Sequence, residues 1–252
     1  MRTLDDLRPN QAPAGTSLVL GGSRGIGASV VRRLARRSRV VHVASREGGW
    51  PASVPPDEAV RTHRVDATDF SQVSRLLADV GQVDWIVSCV GLGYFAPLAG
   101  DYSQAWDEIL RVNVASLANL LANIDMVLPD LHTLVVLLSL AAYQPSTTPG
   151  NTMYSAAKAA ARRLLDEHRT RVRAAGQRLR VCSVSPGYVR DTGFADHFFA
   201  HEPAETIDLY AGQASLLPDD VAGLVEYCLV APDSVEISEV IMRCIPGSEG
   251  SA

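Results

Sequence analysis

Short apolar runs alternate with helix-length amphipathic segments along most of the chain, and this alternation limits the folds that are open to it. The apolar runs are 18–20, 40–44, 61–65, 85–90, 134–138, 181–184 and 240–244. The helical segments lie at about 25–37, 71–80, 103–127, 152–175 and 218–230. Most runs are apolar throughout, as expected of strands that are covered on both faces. The alternation predicts an α/β fold: a doubly wound parallel sheet of seven strands with helices on both faces.

No linker, repeat or low-complexity segment divides the chain, so residues 17–252 are predicted to form a single domain. Residues 1–16 are polar and lack the hydrophobic centre of a signal peptide, which predicts a flexible N-terminal arm. The stretch 187–217 has little periodicity. A long irregular stretch inside a compact domain is usually functional, so we expect a lid over the substrate there.

Charge and cysteine content exclude several classes of partner. The net charge is −5 and no run of five basic residues occurs, which argues against nucleic-acid binding. The longest apolar stretch, 134–142, is too short to span a bilayer. The cysteines are far apart and have no metal-ligand spacing, so we expect buried free thiols, no metal and a reducing cytoplasm. They are Cys89, Cys182, Cys228 and Cys244.

A glycine-rich turn, Gly21-Gly22-Ser23-Arg24-Gly25-Ile26-Gly27, follows the first strand and opens the first helix. Glycines allow the main chain to approach a ligand, and the helix N-terminus presents free N–H groups to a pyrophosphate. The second strand ends at Ser45-Arg46, with no acid before Glu47 to hold a ribose hydroxyl. Arg46 and Arg24 instead suit a 2′-phosphate, which favours NADP(H) over NAD(H). The alternative is that both arginines face solvent.

Lys158 is the only lysine among 23 basic residues, and it follows Tyr154 by four positions. Spacing of i and i+4 places both side chains on one face of a helix. A lysine is a compact point charge, whereas an arginine is a planar fork. An ammonium group beside a phenol makes it a better proton donor and acceptor. The alternative is an ordinary helical pair.

Together these pieces resemble the short-chain dehydrogenase/reductase family over about residues 17–247. Further matches are Asp66 after the third strand, Asn113 in the fourth helix, Ser139 ending the fifth strand, and Pro186-Gly187 after the sixth. The resemblance implies a Rossmann fold. Departures are Leu20 before the first glycine and the segment 88–91, Ser-Cys-Val-Gly.

The resemblance also implies residue roles. Tyr154 would be the general acid and Lys158 would support it and hold the nicotinamide ribose. Ser139 would bind the reacting oxygen, and Asn113 would bend its helix and hold a water that links Lys158 to solvent. The cofactor would contact Gly21, Ser23, Arg24, Gly25, Ile26, Gly27, Ser45, Arg46, Asp66, Ala67, Gly91, Tyr154, Lys158, Pro186, Gly187, Val189 and Thr192. Either Asp191 or Thr192 would reach the nicotinamide carboxamide.

Aromatic residues in loops after strand ends are candidates for the substrate pocket. They are Tyr94, Phe95, Tyr143, Tyr188, Phe194 and Phe198. We expect Phe199 and His197 to belong to the lid, with His197 on its surface. The alternative is that Phe198 and Phe199 only anchor the lid.

These features predict a ketoreductase that uses NADPH to reduce a hydrophobic ketone, such as a polycyclic ketone of bacterial secondary metabolism. The alternatives are an NADP-dependent alcohol dehydrogenase that works in the oxidative direction and a non-catalytic NADP(H)-binding sensor or subunit. Segment 103–127 is apolar on more than one face, and 156–161 is rich in alanine. With the resemblance, this predicts a homodimer or homotetramer.

Overall fold

A parallel sheet of seven strands forms the centre of the computed structural model, which describes residues 14–128, 130–145, 150–198 and 214–245. Its strands are β1 Ala14–Leu20, β2 Ser38–Ser45, β3 Val60–Arg64, β4 Trp85–Ser88, β5 Thr133–Leu137, β6 Arg180–Pro186 and β7 Glu239–Met242. They lie in the order β3-β2-β1-β4-β5-β6-β7. The order reverses between β1 and β4, which confirms the predicted doubly wound sheet and places a crevice at that point.

Helices cover both faces of the sheet. They are α1 Gly25–Leu34, α2 Phe70–Val80, α3 Ser103–Leu110, α4 Ser116–Val127, α5 Thr152–Ala174, α6 Phe194–Phe198 and α7 Pro218–Leu229. Val19 of β1 packs in one apolar cluster with residues of α1 and α7. Its neighbours Leu18 and Leu20 pack in the other cluster, with α2, α4 and α5. Both faces of the strands are therefore buried, which is why their sequences are apolar throughout.

Two boundaries differ from the sequence-based prediction. Strand β1 begins at Ala14, so the predicted arm of 1–16 is too long. Thr16 is held in the sheet because its main-chain N–H donates to Asp84 Oδ2 over 2.8 Å. Residues 1–13 lie outside the described residues. Helix α2 begins at Phe70, where the Asp69 side chain accepts a hydrogen bond from the Gln72 N–H and caps it.

The predicted helix over 103–127 is interrupted by a π-helical turn at Arg111–Ala115. Within it, the main-chain N–H of Ser116 bonds the carbonyl oxygen of Arg111, five residues back. The wider turn changes which face the chain presents. Ile109 before it packs against Leu92 and Tyr94 in the loop after β4, whereas Leu120 after it packs on the sheet.

This reorientation removes one argument for an oligomer. The apolar residues that suggested surplus surface on this helix are buried within the single chain: Ile109, Val112, Leu117, Leu120, Leu121 and Ile124. Leu110 alone of the predicted set is exposed, at 39%, and Met126 is exposed at 74%. The prediction of an oligomer therefore depends on the family resemblance and on the exposed alanines of α4 and α5.

Candidate active site

A cavity of about 760 Å³ opens at the C-terminal ends of the strands, where the crevice was expected. The predicted cofactor residues that line it are Gly21, Ser23, Arg24, Ile26, Gly27, Ser45, Arg46, Asp66, Ala67, Gly91, Tyr154, Lys158, Pro186, Gly187, Val189 and Thr192. Gly25, the remaining predicted residue, does not line it. In the described ranges no group of three or more His, Cys, Asp or Glu side chains could hold a metal ion. No helix in those ranges is long and apolar enough to cross a bilayer.

Close main-chain packing explains the glycines of the turn. A Cβ on Gly27 would lie 2.1 Å from the carbonyl oxygen of Gly21. Gly21 has φ +74°, and a Cβ there would lie 2.9 Å from the main-chain carbon of Cys89. Gly25 has φ +54° and faces Thr192, whose oxygen would lie 3.0 Å from an added Cβ. The turn is therefore tightly packed without side chains at these positions, which leaves its main chain accessible to a phosphate group in the cavity. It also contacts Thr192 at the beginning of the lid.

The end of the cavity beside β2 and β3 is where the sequence predicts the adenosine of the cofactor. The Asp66 carboxylate accepts hydrogen bonds from the Thr68 N–H and hydroxyl, at 2.9 and 2.8 Å, and these bonds fix its loop. Arg46 lines the same end and its side chain is 54% exposed. Arg24, the residue before α1, also lines the cavity and is exposed. Two arginines thus line the cavity, and Arg46 borders this end of it.

Tyr154 and Lys158 lie together on the first turns of α5. The Lys158 Nζ atom is 5.7 Å from the centre of the Tyr154 ring. Lys158 is 4% exposed, and Nζ donates a hydrogen bond to the main-chain oxygen of Leu137 over 3.3 Å. Burial lowers the pKa of Lys158 from 10.5 to about 8, because a buried ammonium loses its hydration.

Cys89 lies near Lys158 and lines the cavity. Burial raises the pKa of its thiol to about 12, although the positive charge of Lys158 opposes that rise. Cys89 is therefore a neutral thiol near neutral pH. Cys89 and Cys244 are half-buried, whereas the prediction of buried thiols is confirmed for Cys182 and Cys228.

Ser139 follows the end of β5 and lines the cavity. Its Oγ accepts a hydrogen bond from the Ala141 N–H over 3.1 Å, which orients the side chain. A serine hydroxyl that accepts one bond still has its own hydrogen to donate. Ser139 can therefore donate to an oxygen atom in the cavity.

Asn113 lies in the π-helical turn, 4% exposed, and just behind the cavity wall. Its Nδ2 donates to the Ile109 oxygen over 2.8 Å, taking the partner that a regular α-helix gives to the Asn113 main-chain N–H. The side-chain amide also bonds both main-chain groups of Leu92, at 2.6 and 3.3 Å. Asn113 thus ties the widened helix to the loop after β4.

Three of the predicted substrate residues line the cavity: Tyr188, Phe194 and Phe198. The other three do not, because their loops turn them elsewhere. The Tyr94 hydroxyl donates to Glu108 over 2.9 Å, and Phe95 packs against Gly150. The Tyr143 ring lies 4.5 Å from the Arg162 guanidinium carbon.

The lid is described only at its two ends. His197 lines the cavity, contrary to the expectation of a surface position. Thr192 also lines the cavity, whereas the Asp191 side chain is 73% exposed and points away. Phe199 and the rest of 199–213 lie outside the described residues.

Sequence reasoning missed Arg243 and Cys244, which follow β7 and line the cavity. The rule that strand C-termini form the site in such sheets could have indicated them. It also missed Glu108, which binds Tyr94 and lies 3.9 Å from Arg46. No sequence pattern connects Glu108 to either residue.

Comparison with known proteins gives a consistent result. The profile of the short chain dehydrogenase family matches residues 16–203. Glycine betaine reductase ATRR of Emericella nidulans is 31% identical over 240 residues, which are 90% of this chain but 18% of that protein. Dehydrogenase/reductase SDR family member 11 of Bos taurus is 27% identical over 245 residues, covering 90% of this chain and 94% of the relative. A short chain dehydrogenase structure from Burkholderia cenocepacia in complex with NADP has a TM-score of 0.73 and 24% identity, covering 92% of this chain and 89% of that one.

Proposed function

Since the chain belongs to the short chain dehydrogenase family, we propose that it reduces a hydrophobic ketone to an alcohol with NADPH, using Tyr154 as the proton donor. The observation that carries the proposal is the placement of Tyr154, Lys158 and Ser139 on one cavity with the glycine turn. A protein that only senses a dinucleotide needs the glycine turn but has no use for a supported phenol.

The residues of the cavity fit an NADP(H) molecule. The glycine turn lines the cavity, and its tight main-chain path leaves no room for a Cβ on Gly27. Arg46 borders the adenosine end and Arg24 lines the same cavity, so both are available to pair with a 2′-phosphate. The Burkholderia cenocepacia structure, a complex with NADP, supports this cofactor. When bound, NADPH supplies the hydride for the carbonyl carbon.

Tyr154 supplies the proton that the reduced oxygen requires. Its hydroxyl donates to the carbonyl oxygen and gives up the proton as negative charge develops there. The nearby ammonium of Lys158 stabilises the phenolate that remains. A pKa of about 8 keeps most of Lys158 protonated at neutral pH, so this stabilisation is present there.

Ser139 and Asn113 complete the polar set. Ser139 Oγ–H donates a second hydrogen bond to the reacting oxygen, and its own orientation is fixed by the Ala141 N–H. Asn113 is a positioning residue, because its amide holds Leu92 next to Gly91 and Lys158. The Asn113 Oδ1 atom accepts one hydrogen bond, from the Leu92 N–H, and its second lone pair can hold the predicted water that links Lys158 to solvent.

The substrate wall supports a hydrophobic ketone. Phe194 lies edge-on to Tyr154, with ring centres 5.4 Å apart, and Phe198 is 2% exposed. Tyr188 lines the same cavity. Aromatic rings around a single polar cluster favour a ketone with an apolar body over a small polar one.

A turnover assay tests the proposal. NADPH consumption is measured with a panel of ketones of increasing size, such as cyclohexanone, acetophenone, α-tetralone and trans-decalone, and the reverse reaction is measured with the matching alcohols and NADP⁺. Tyr154→Phe should lower kcat by about 10²–10⁴-fold while NADPH still binds. Tyr227→Phe, at an exposed tyrosine of α7, is the matched control and should leave kcat unchanged.

The assay also separates the alternatives. Turnover with alcohols and NADP⁺ only would favour the oxidative enzyme. Tight NADPH binding without turnover of any panel member, and with no difference between wild type and Tyr154→Phe, would favour the sensor and contradict the proposal.

A further inference from the structure

The two oxygens of the Glu108 carboxylate, on α3, contact two different segments of the chain. Oε2 accepts a hydrogen bond from the Tyr94 hydroxyl over 2.9 Å. Oε1 lies 3.9 Å from Arg46 Nη1. Arg46 follows β2 and lines the cavity, whereas Tyr94 lies in the loop after β4. A single carboxylate therefore connects the predicted adenosine end of the cavity to the loop after β4.

Tyr94 in turn contacts the lid helix α6. Its ring centre is 5.0 Å from that of His197. The main-chain N–H of the next residue, Phe95, donates to the Phe198 oxygen over 2.7 Å. The loop after β4 and α6 are therefore held together by a main-chain bond and a ring contact.

The same helix forms the wall beside the proton donor. Phe194 lies 5.4 Å from the Tyr154 ring and 6.0 Å from the Phe198 ring, measured between ring centres. Gly93 fits beneath, since a Cβ there would lie 2.6 Å from Phe194 Cζ. A shift of the loop at Gly93 or Tyr94 would therefore move Phe194 relative to Tyr154.

We propose that Glu108 is a positioning residue that competes with the 2′-phosphate for Arg46 and transmits the occupancy of that site to the lid through Tyr94. The inference rests on the proposed preference for NADPH. Without cofactor, Arg46 is drawn to Glu108; a 2′-phosphate, with more negative charge, draws Arg46 away. Glu108 then turns wholly to the Tyr94 hydroxyl, whose hydrogen bond strengthens and holds the loop against α6.

The chemistry of Tyr94 agrees with this role. Burial, together with the hydrogen bond to Glu108, raises the pKa of Tyr94 above its ordinary value, so the phenol keeps its proton. Tyr94 therefore remains a donor to Glu108 whether or not Arg46 is present.

Binding of 2′,5′-ADP and 5′-AMP tests the competition, because the two probes differ only in the 2′-phosphate. Glu108→Gln keeps an acceptor for Tyr94 but removes the charge that holds Arg46. It should tighten binding of 2′,5′-ADP about two- to fivefold, the range of a partly exposed ion pair, and leave 5′-AMP unchanged. Asp107→Asn, the same charge change at the exposed neighbouring residue of α3, is the matched control and should change neither.

Hydrogen exchange of the Phe95 amide tests the link to the lid. In the wild type, saturating 2′,5′-ADP should slow this exchange and saturating 5′-AMP should not. Tyr94→Phe should abolish the difference between the two probes, since the hydroxyl no longer reaches Glu108. Unfolding temperatures of all variants are measured alongside, so that a general loss of stability is separated from a local effect.

Two results would overturn the inference. If the wild type prefers 2′,5′-ADP but Glu108→Gln leaves the ratio of the two affinities unchanged, Glu108 does not compete for Arg46. If the Phe95 amide responds equally to both probes in wild type and Tyr94→Phe, no link to the lid exists. A wild type that binds both probes equally would instead show that the preference for NADPH, and the inference with it, is wrong.

Discussion

Lys158 Nζ donates a hydrogen bond to the main-chain oxygen of Leu137, 3.3 Å away at the end of β5. The bond fixes the ammonium at the wall of the cavity, where only 4% of Lys158 is exposed. A neutral carbonyl compensates only part of the hydration that a buried ammonium loses. The proposed catalytic set is therefore assembled at a cost to the stability of the folded chain.

The dependence of stability on pH measures that cost. Well below pH 8 Lys158 is protonated in both the folded and the unfolded chain, so the folded chain bears the whole free-energy cost of burying the charge. Because its pKa falls from 10.5 to about 8 on folding, the folded chain releases this proton first as pH rises. The free energy of unfolding should therefore gain up to about 3 kcal/mol from this group across that window.

Lys158→Met should be more stable than the wild type at neutral pH and should lack this gain. Urea unfolding at a series of pH values measures it. Lys158→Arg is the control, because an arginine remains charged over the whole window. It should show neither the gain with pH nor useful turnover. Equal pH dependence in Lys158→Met and wild type would contradict the assignment of a lowered pKa.

Arg46→Asp should reverse or erode the preference for NADPH. The new carboxylate repels a 2′-phosphate and can accept a hydrogen bond from a 2′-hydroxyl. Loss of a charge-assisted hydrogen bond should lower kcat/KM for NADPH about tenfold or more, with a smaller change for NADH. Arg75→Asp, an equal change of charge at an exposed residue of α2, is the control. An unchanged ratio of kcat/KM for the two cofactors would mean that Arg46 serves only Glu108.

Gly27→Ala should damage both stability and cofactor binding. The added Cβ would lie 2.1 Å from the Gly21 oxygen. The atoms it meets belong to the main chain, which cannot move aside as the end of a flexible side chain could. We expect a loss of about 1–3 kcal/mol and weaker NADPH binding. Gly49→Ala is the control, since no atom lies within 4 Å of a Cβ there. Thermal unfolding and cofactor titration measure both effects. A Gly27→Ala protein that matches Gly49→Ala in both would show that the turn does not need a glycine at position 27.

The protein should form a homodimer or homotetramer. Small side chains are exposed on α4 at Ala118 and Ala122, and on α5 at Ala156 and Ala160. Such residues let helices of two copies approach closely, and Met126 adds an exposed apolar side chain at the end of α4. A two-fold contact would bring the same faces together. Sedimentation at micromolar concentration measures the mass, and a single species of 27.0 kDa would show that the prediction is wrong.

The sequence predicted the order and type of the main elements because short runs that are apolar throughout indicate strands buried on both faces, and they alternate with amphipathic helical segments. It also predicted many of the residues that line the cavity, since parallel strands all end at one edge of the sheet. Glycines at a strand–helix junction and a tyrosine four residues before a lysine are local patterns, so they are readable without a structure.

The errors concern what local patterns do not encode. Tyr94, Phe95 and Tyr143 were placed in the pocket because they follow strand ends, but the path of each loop decides where a side chain points. Arg46 and Glu108 meet across 62 positions of sequence, and only the tertiary fold brings them together. Likewise, the surplus apolar surface of 103–127 was inferred for one regular helix, and the π-helical turn changes which residues are exposed.

That turn sets the angle between the two ends of the helix. A π-helical turn behaves as one residue inserted into an α-helix, and it absorbs the rotation of about 100° that the extra residue would otherwise give to everything after it. If the turn rewound to a regular α-helix without losing a residue, Leu120 and Ile124 would rotate off the sheet while Asn113 lost its hold on Leu92. Deleting one residue within Arg111–Ala115 would instead remove the widened turn and leave Leu120 and Ile124 on the sheet. The hydrophobic core therefore accepts either the widened turn or a helix one residue shorter, whereas the bonds from Asn113 to Leu92 are made in the widened turn.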